Sequence, residues 1–229
     1  MLDRLALVQR SFGRALLIGC PDQGWRDRML GRVGEVHVVD PGPLFAAAAK
    51  GDRMDEDRLD VEPGSYDLCV AIGTLDSISD LPRALLTIRF ALREDSLLLG
   101  AMTGGDSLPR LRSAMRAADV AMGEASPHVH PRVEPAALTS LLTAAGFAMP
   151  VVDVDRVQVG YRSLAGLVRD LRAMGATNVL TARSRRPLTR AAAAAAAEHF
   201  ASRAEAGRTV ERFDLLHFAA WTPAAPGDG

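Results

Sequence analysis

Short unbroken apolar runs alternate, over the first hundred residues, with stretches whose apolar positions recur every three or four residues. The runs "ALLIG" (15–19), "EVHVVD" (35–40) and "YDLCVAIGTL" (66–75), and "EDSLLLGAM" from Ser96 onward, are apolar or β-branched and suit strands buried on both faces. Between them, "WRDRMLGRV" and "PLFAAAAKG" predict helices, the second stopped by Gly51. "SDLPRALLTIRFAL" predicts a third, with Ser79 and Asp80 as capping candidates and Pro82 in the first turn. Leu2, Leu5 and Ala6 share a face in a short amphipathic helix over 2–10, while "MDEDRLDVEPGS" reads as a polar turn. Strand and helix in alternation predict an α/β fold with a parallel sheet and right-handed crossovers.

The second half follows another rhythm. A glycine pair opens the helical "GGDSLPRLRSAMRAADVAMG"; "SPHVHPRVEP" is a loop; "EPAALTSLLTAAGF" is a helix closed by Gly146. "MPVVDVDRVQVGY" alternates at period two over part of its length and predicts a strand. "SLAGLVRDLRAMGATN" follows as a helix capped by Ser163, then an alanine-rich helix with seven consecutive alanines, then a closing strand, "TVERFDLLHFAAWTP". No fixed-period repeat or linker interrupts the chain, so a single domain over 1–229 is expected.

Composition narrows the function classes. Apolar residues make up 48%, enough for a substantial core, and 27 cations against 28 acids leave a net charge of −1, with no basic surplus pointing to nucleic acid. Lys50 is the only lysine. Cys20 and Cys69 both sit in or beside buried strands, which favours reduced thiols and a cytoplasmic location. No apolar run approaches the roughly 20 residues of a membrane span, and the amino-terminal stretch lacks the apolar core of a signal peptide.

In a parallel sheet of this kind, ligands bind beyond the carboxyl ends of the strands. Three segments fall there. The loop from Gly19 to Gly24 leads from a strand into a helix and offers backbone N–H groups. Asp40 ends the second strand, where a carboxylate can accept from both hydroxyls of a ribose; it could equally cap the next helix through Pro41 and Gly42. "AIGT" (71–74) has small residues that let a ligand lie close to the backbone. His128 and His130 lack a third clustered ligand, so no metal site is expected.

"YDLCVAIGTLDSISDLPRALLTIRFALREDSLLLGAMTGGDSLPRLR" resembles the central segment of class I S-adenosylmethionine-dependent methyltransferases. "SPHVHPR", "VDRVQVGYRSLAGLVRDLRAMGATN" and "FDLLHFAAWTP" narrow the resemblance to one branch. That branch holds the malonyl-carrier-protein methyltransferases of biotin synthesis and an arginine-hydroxylating assembly factor of mitochondrial complex I. The resemblance implies a Rossmann-like, seven-stranded sheet with its last strand antiparallel, and helical cap insertions at about 104–135 and 160–207. It implies S-adenosylmethionine as cofactor: Gly19, Cys20, Pro21, Asp22 and Gly24 under the methionine part, Asp40 on the ribose, Asp55 and Glu56 beside adenine, and Ile72, Gly73 and Thr74 beside the sulfonium. It assigns no catalytic residue.

The chain also departs from the family pattern. Leu17 stands where an acid usually precedes the glycine loop, Pro21 and Gln23 replace glycines, and Asp76–Ser77 replace a histidine–tryptophan pair. The first strand starts early and the family's amino-terminal helical lid is largely absent, so either the start codon is wrongly assigned or the site is more open than usual. Two readings follow: a methyltransferase acting on a protein or acyl-carrier-bound substrate, and a catalytically degenerate assembly or binding protein on the same fold. "RSRRP" (183–187) is a solvated connection or a basic patch for an acidic partner.

Overall fold

A computed structural model describes residues 1–20, 22 and 24–224. Its seven-stranded sheet has the order β3-β2-β1-β4-β5-β7-β6. The strands are β1 (Phe12–Ile18), β2 (Val33–Asp40), β3 (Asp52–Arg53), β4 (Tyr66–Ile72), β5 (Leu92–Gly104), β6 (Ala148–Tyr161) and β7 (Thr209–Trp221). Strands β1 to β5 pair in parallel, with Leu16 of β1 set between His37 of β2 and Cys69 of β4. Strand β7 runs the other way: Asp95 N donates to Pro223 O while Thr222 N donates to Ser96 O, so one strand advances as the other recedes. The expected mixed sheet with an antiparallel last strand is therefore present.

Within the chain two compact units separate: residues 1–103, 133–155 and 215–229, and residues 104–132 with 156–214. In the first unit, alternation of side chains splits the core into two layers. Leu16, Ile18, Cys69 and Ala71 point to one face, where α4 (Leu81–Ala91) and α6 (Pro135–Ala144) supply Leu85, Ile88, Leu138 and Leu142. Ala15, Leu17, Leu68 and Val70 point to the other, against Leu5 of α1 (Leu2–Leu7) and Met29 of α2 (Gly24–Leu30). Asp80 caps α4 by accepting from Arg83 N at 3.0 Å. Gly100 leaves room for an aromatic ring, since a Cβ there would stand 1.9 Å from Phe218 Cζ.

The second unit packs α5 (Pro109–Met122), α7 (Leu164–Ala173) and α8 (Arg190–Ala201) around Leu111, Leu167, Ala196 and Phe200. Ser163 and Thr189 cap α7 and α8. Helix α5 has no cap from its own sequence; Glu211 of β7, fully buried, accepts from Arg110 N at 3.1 Å and Leu111 N at 2.7 Å instead.

Three local expectations shift. Helix α1 ends at Leu7, because Val8 is already extended. The polar turn is preceded by a two-residue strand, β3, whose residues are both exposed and so carry no apolar signature. After α3 (Pro43–Ala48) the left-handed residue is Lys50, at φ 52°, and not Gly51. Gly51 answers a different need: a Cβ there would lie 2.5 Å from Val38 O.

Candidate functional site

The carboxyl ends of β1, β2 and β4 meet around Gly19. Its φ of 76° and its position against β4 both demand glycine: a Cβ would fall 2.2 Å from Ile72 O and 2.8 Å from Thr74 Cγ2. Gly19 N donates to Val39 O at 2.9 Å, tying the turn to β2 as well. Gly19, Cys20, Asp40, Ile72 and Thr74 are thus brought together.

Asp40 is buried at 4% exposure, and each of its carboxylate oxygens serves one loop. Oδ2 accepts from Cys20 N at 3.1 Å and Oδ1 from Gly42 N at 2.7 Å. The second bond stops short of capping α3, whose cap position is Gly42 without a side-chain bond. Because a carboxylate oxygen carries two lone pairs, both oxygens keep acceptor capacity for a further donor.

Asp22 serves its own helix. Its carboxylate accepts from Gly24 N at 2.9 Å and pairs with Arg28 at 2.6 Å, and these two contacts hold it below the usual carboxylate range. Cys20 Sγ donates to Asp22 O at 3.2 Å, and burial, followed by the charges of Asp40 and Asp22, pushes its thiol up and away from the thiolate. Pro21, assigned to this loop, and Gln23 lie outside the described residues. Leu17 is wholly buried among Ala15, Val36 and Val70, a surrounding in which an acid would find no partner.

The adenine-side pair splits. Asp55 is exposed; Glu56 is buried at 5% exposure. Thr87 of α4 holds the Glu56 main chain by donating to its carbonyl at 2.7 Å. Glu56 Oε1 and Thr74 Oγ1 are both buried without a hydrogen-bond partner among the described residues. Burial pushes the Glu56 carboxyl above its usual range; the nearby Thr74 hydroxyl draws it part of the way back without completing a bond, and Asp40 and Asp55 add to the rise. Gly73, at φ 70°, has nothing within 4 Å of a built Cβ, so space is open above it. Asp76, just beyond, accepts from Thr103 Oγ1. Thr87 and Thr103 act here without any signal in the sequence, since their partners lie far along the chain.

A concavity of about 610 Å³ lined by Gly64, Arg89, Phe90, Leu92, Arg93 and Glu94 sits at the opposite, amino ends of β4 and β5, away from these residues. The histidines have local duties: His128 bonds Asp119 at 2.7 Å, and His130 Nε2 accepts from Val179 N at 3.2 Å. No helix among the described residues is long and apolar enough to cross a membrane.

The chain matches the model of a family described as a methyltransferase domain over residues 1–151. The arginine-hydroxylase NDUFAF5, mitochondrial, of Danio rerio is 31% identical over 233 residues, spanning 96% of this chain and 72% of that protein. The malonyl-[acyl-carrier protein] O-methyltransferase of Laribacter hongkongensis is 31% identical over 182 residues, or 80% of this chain and 60% of that protein. Among solved structures, the YcgJ protein of Bacillus subtilis superposes with a TM-score of 0.66 at 13% identity, covering 98% of each chain. At that identity the likeness speaks for the fold alone.

Proposed function

The chain belongs to the methyltransferase-domain family of class I S-adenosylmethionine-dependent proteins, and on that premise we propose that it binds S-adenosylmethionine at the carboxyl edge of β1, β2 and β4 and methylates a protein or carrier-bound substrate. One observation carries the reading. Two buried polar atoms, Glu56 Oε1 and Thr74 Oγ1, lack partners beside an Asp40 carboxylate with acceptor capacity to spare and an open space over Gly73. Buried polar groups are nearly always satisfied, and here a polar ligand would satisfy them.

When bound, the cofactor supplies an electrophilic methyl group on a sulfonium. Asp40 would accept from the ribose hydroxyls, Glu56 and Thr74 would line the adenosine side, and the small segment Ile72–Thr74 would admit close approach to the backbone. The chain's share of catalysis is positioning, which needs no covalent intermediate and no dedicated acid or base. A substrate on a carrier or protein accords with the acyl-carrier and arginine-hydroxylase names of the two relatives.

Calorimetric titration with S-adenosylmethionine tests it. A saturable binding isotherm is expected, weakened in T74V, which at the same time melts higher than the parent because a buried unpaired hydroxyl is gone. No heat at millimolar cofactor overturns the reading.

A second reading, an assembly or binding protein that has lost catalysis, is favoured by the first turn. Asp22 is spent on Gly24 and Arg28, and Leu17 leaves no acid for the cofactor's ammonium. Stable co-purification with a protein partner and no cofactor supports it; methyl transfer from labelled cofactor to any cellular fraction refutes it. A cytoplasmic location belongs to the same proposal, supported by two free, buried thiols. Fractionation tests it against the mitochondrial location named for the Danio rerio relative.

A further inference from the structure

The near-neutral chain hides a strong division of charge. The unit of residues 104–132 and 156–214 holds fifteen arginines against eight carboxylates, a balance of +7. The other unit holds twelve cations against twenty carboxylates, a balance of −8. Within the basic unit the imbalance concentrates in residues 162–190, where seven arginines meet one carboxylate, Asp170. All seven are exposed.

Helix α7 shows why they face outward. Leu164, Leu167 and Leu171 are buried and share one side; at 3.6 residues per turn, Arg169 falls on the opposite side and Arg172 on the exposed flank. No acid stands three or four residues from either, so no ion pair within the helix offsets their mutual repulsion. Beyond the helix, Arg183 donates to the Leu180 carbonyl, and Arg186 makes a long contact with Glu124 at 3.4 Å. Between these cations Met174, Val179 and Leu188 stand 60%, 54% and 42% exposed. Arginine interleaved with exposed apolar side chains is the composition of protein interfaces.

We propose that the face formed by α7 and residues 174–190 is a docking surface for an acidic protein segment. Charge complementarity selects the partner, and the apolar residues give it a dry centre. The proposal goes beyond methyl transfer, because docking here is independent of cofactor. Nucleic acid fits less well: the unit's one tyrosine and two phenylalanines, Tyr161, Phe200 and Phe213, are buried and offer no face on which a base could stack. An anionic membrane also fits less well, since the apolar face of α7 is consumed by the core.

The test is fluorescence anisotropy on the full chain with a labelled synthetic amphipathic helix, rich in glutamate and bearing leucines along one stripe. Binding that weakens with added salt is expected, as is a loss of about tenfold in R169E/R172E, the size of two screened charge reversals. R203E, an exposed arginine outside the segment, is expected to bind like the parent. Matching melting curves establish that both variants are folded. The proposal is overturned by absence of binding, by an equal loss in R203E, or by tighter binding of single-stranded RNA or phosphatidylserine vesicles than of the acidic helix.

Discussion

On the β1 side of the candidate site the buried acid, Asp40, has a partner on each oxygen; on the β3–β4 side the buried acid, Glu56, has an oxygen without one among the described residues. Asp22 closes onto its own helix and Asp40 bridges two loops, whereas Glu56 and Thr74 leave polar atoms buried and unmatched. The contrast separates two jobs that a single glycine-loop motif conflates. The first turn is built to fold: its sequence departs from the family pattern, and Asp22 and Asp40 both have partners there. The second edge retains features that cost stability, which a fold keeps only where something else compensates.

The sharpest break in this contrast is expected at Gly19. G19A forces a left-handed alanine with its methyl against Ile72 O, where a built Cβ stands at 2.2 Å. A loss of about 3 kcal/mol or more in urea unfolding is expected. D40A comes next. It strands the N–H groups of Cys20 and Gly42, costing about 2–4 kcal/mol, and abolishes cofactor heat in calorimetry. A purely structural Asp40 predicts the stability loss with cofactor affinity intact.

G73A is the paired control for G19A, because its φ is 70° yet nothing lies within 4 Å of the added methyl. It is expected to cost only about 1 kcal/mol by the same unfolding assay. If G73A proves as damaging as G19A, the space above Gly73 is not open. The smallest effect belongs to E56Q and is one of pH. Burial first, then the neighbouring acids, raise the folded carboxyl above its ordinary value of 4.5. The stability linked to its proton is therefore complete below that value and lost as pH rises through the folded pKa. Melting curves between about pH 4 and pH 8 are expected to show E56Q gaining on the parent toward the alkaline end. A constant offset would mean that the carboxyl titrates normally.

Much of the architecture could be read from the chain because parallel strands buried on both faces must be apolar throughout, as Ala15–Ile18 and Leu68–Ala71 are. Asp80 and Ser163 were likewise legible, since a cap lies next to what it caps. What escaped the sequence acts at a distance or carries no apolar mark. Strand β3 is two exposed residues held by β2. Glu211 caps a helix a hundred positions earlier. Within the site, Asp40 and the Ile72–Thr74 segment could be placed by their position at strand ends, but not that Glu56 is buried while Asp55 beside it is exposed. That difference depends on Thr87, whose hydroxyl fixes the Glu56 backbone from a helix 31 residues on.

Lys50, exposed in its left-handed turn behind α3, has a practical side. As the sole lysine of the chain it makes the protein a single-address target for amine-directed reagents once the terminal amine is blocked. A fluorophore placed there reports from the turn that leads into β3, a few residues ahead of Asp55 and Glu56, without introducing a cysteine.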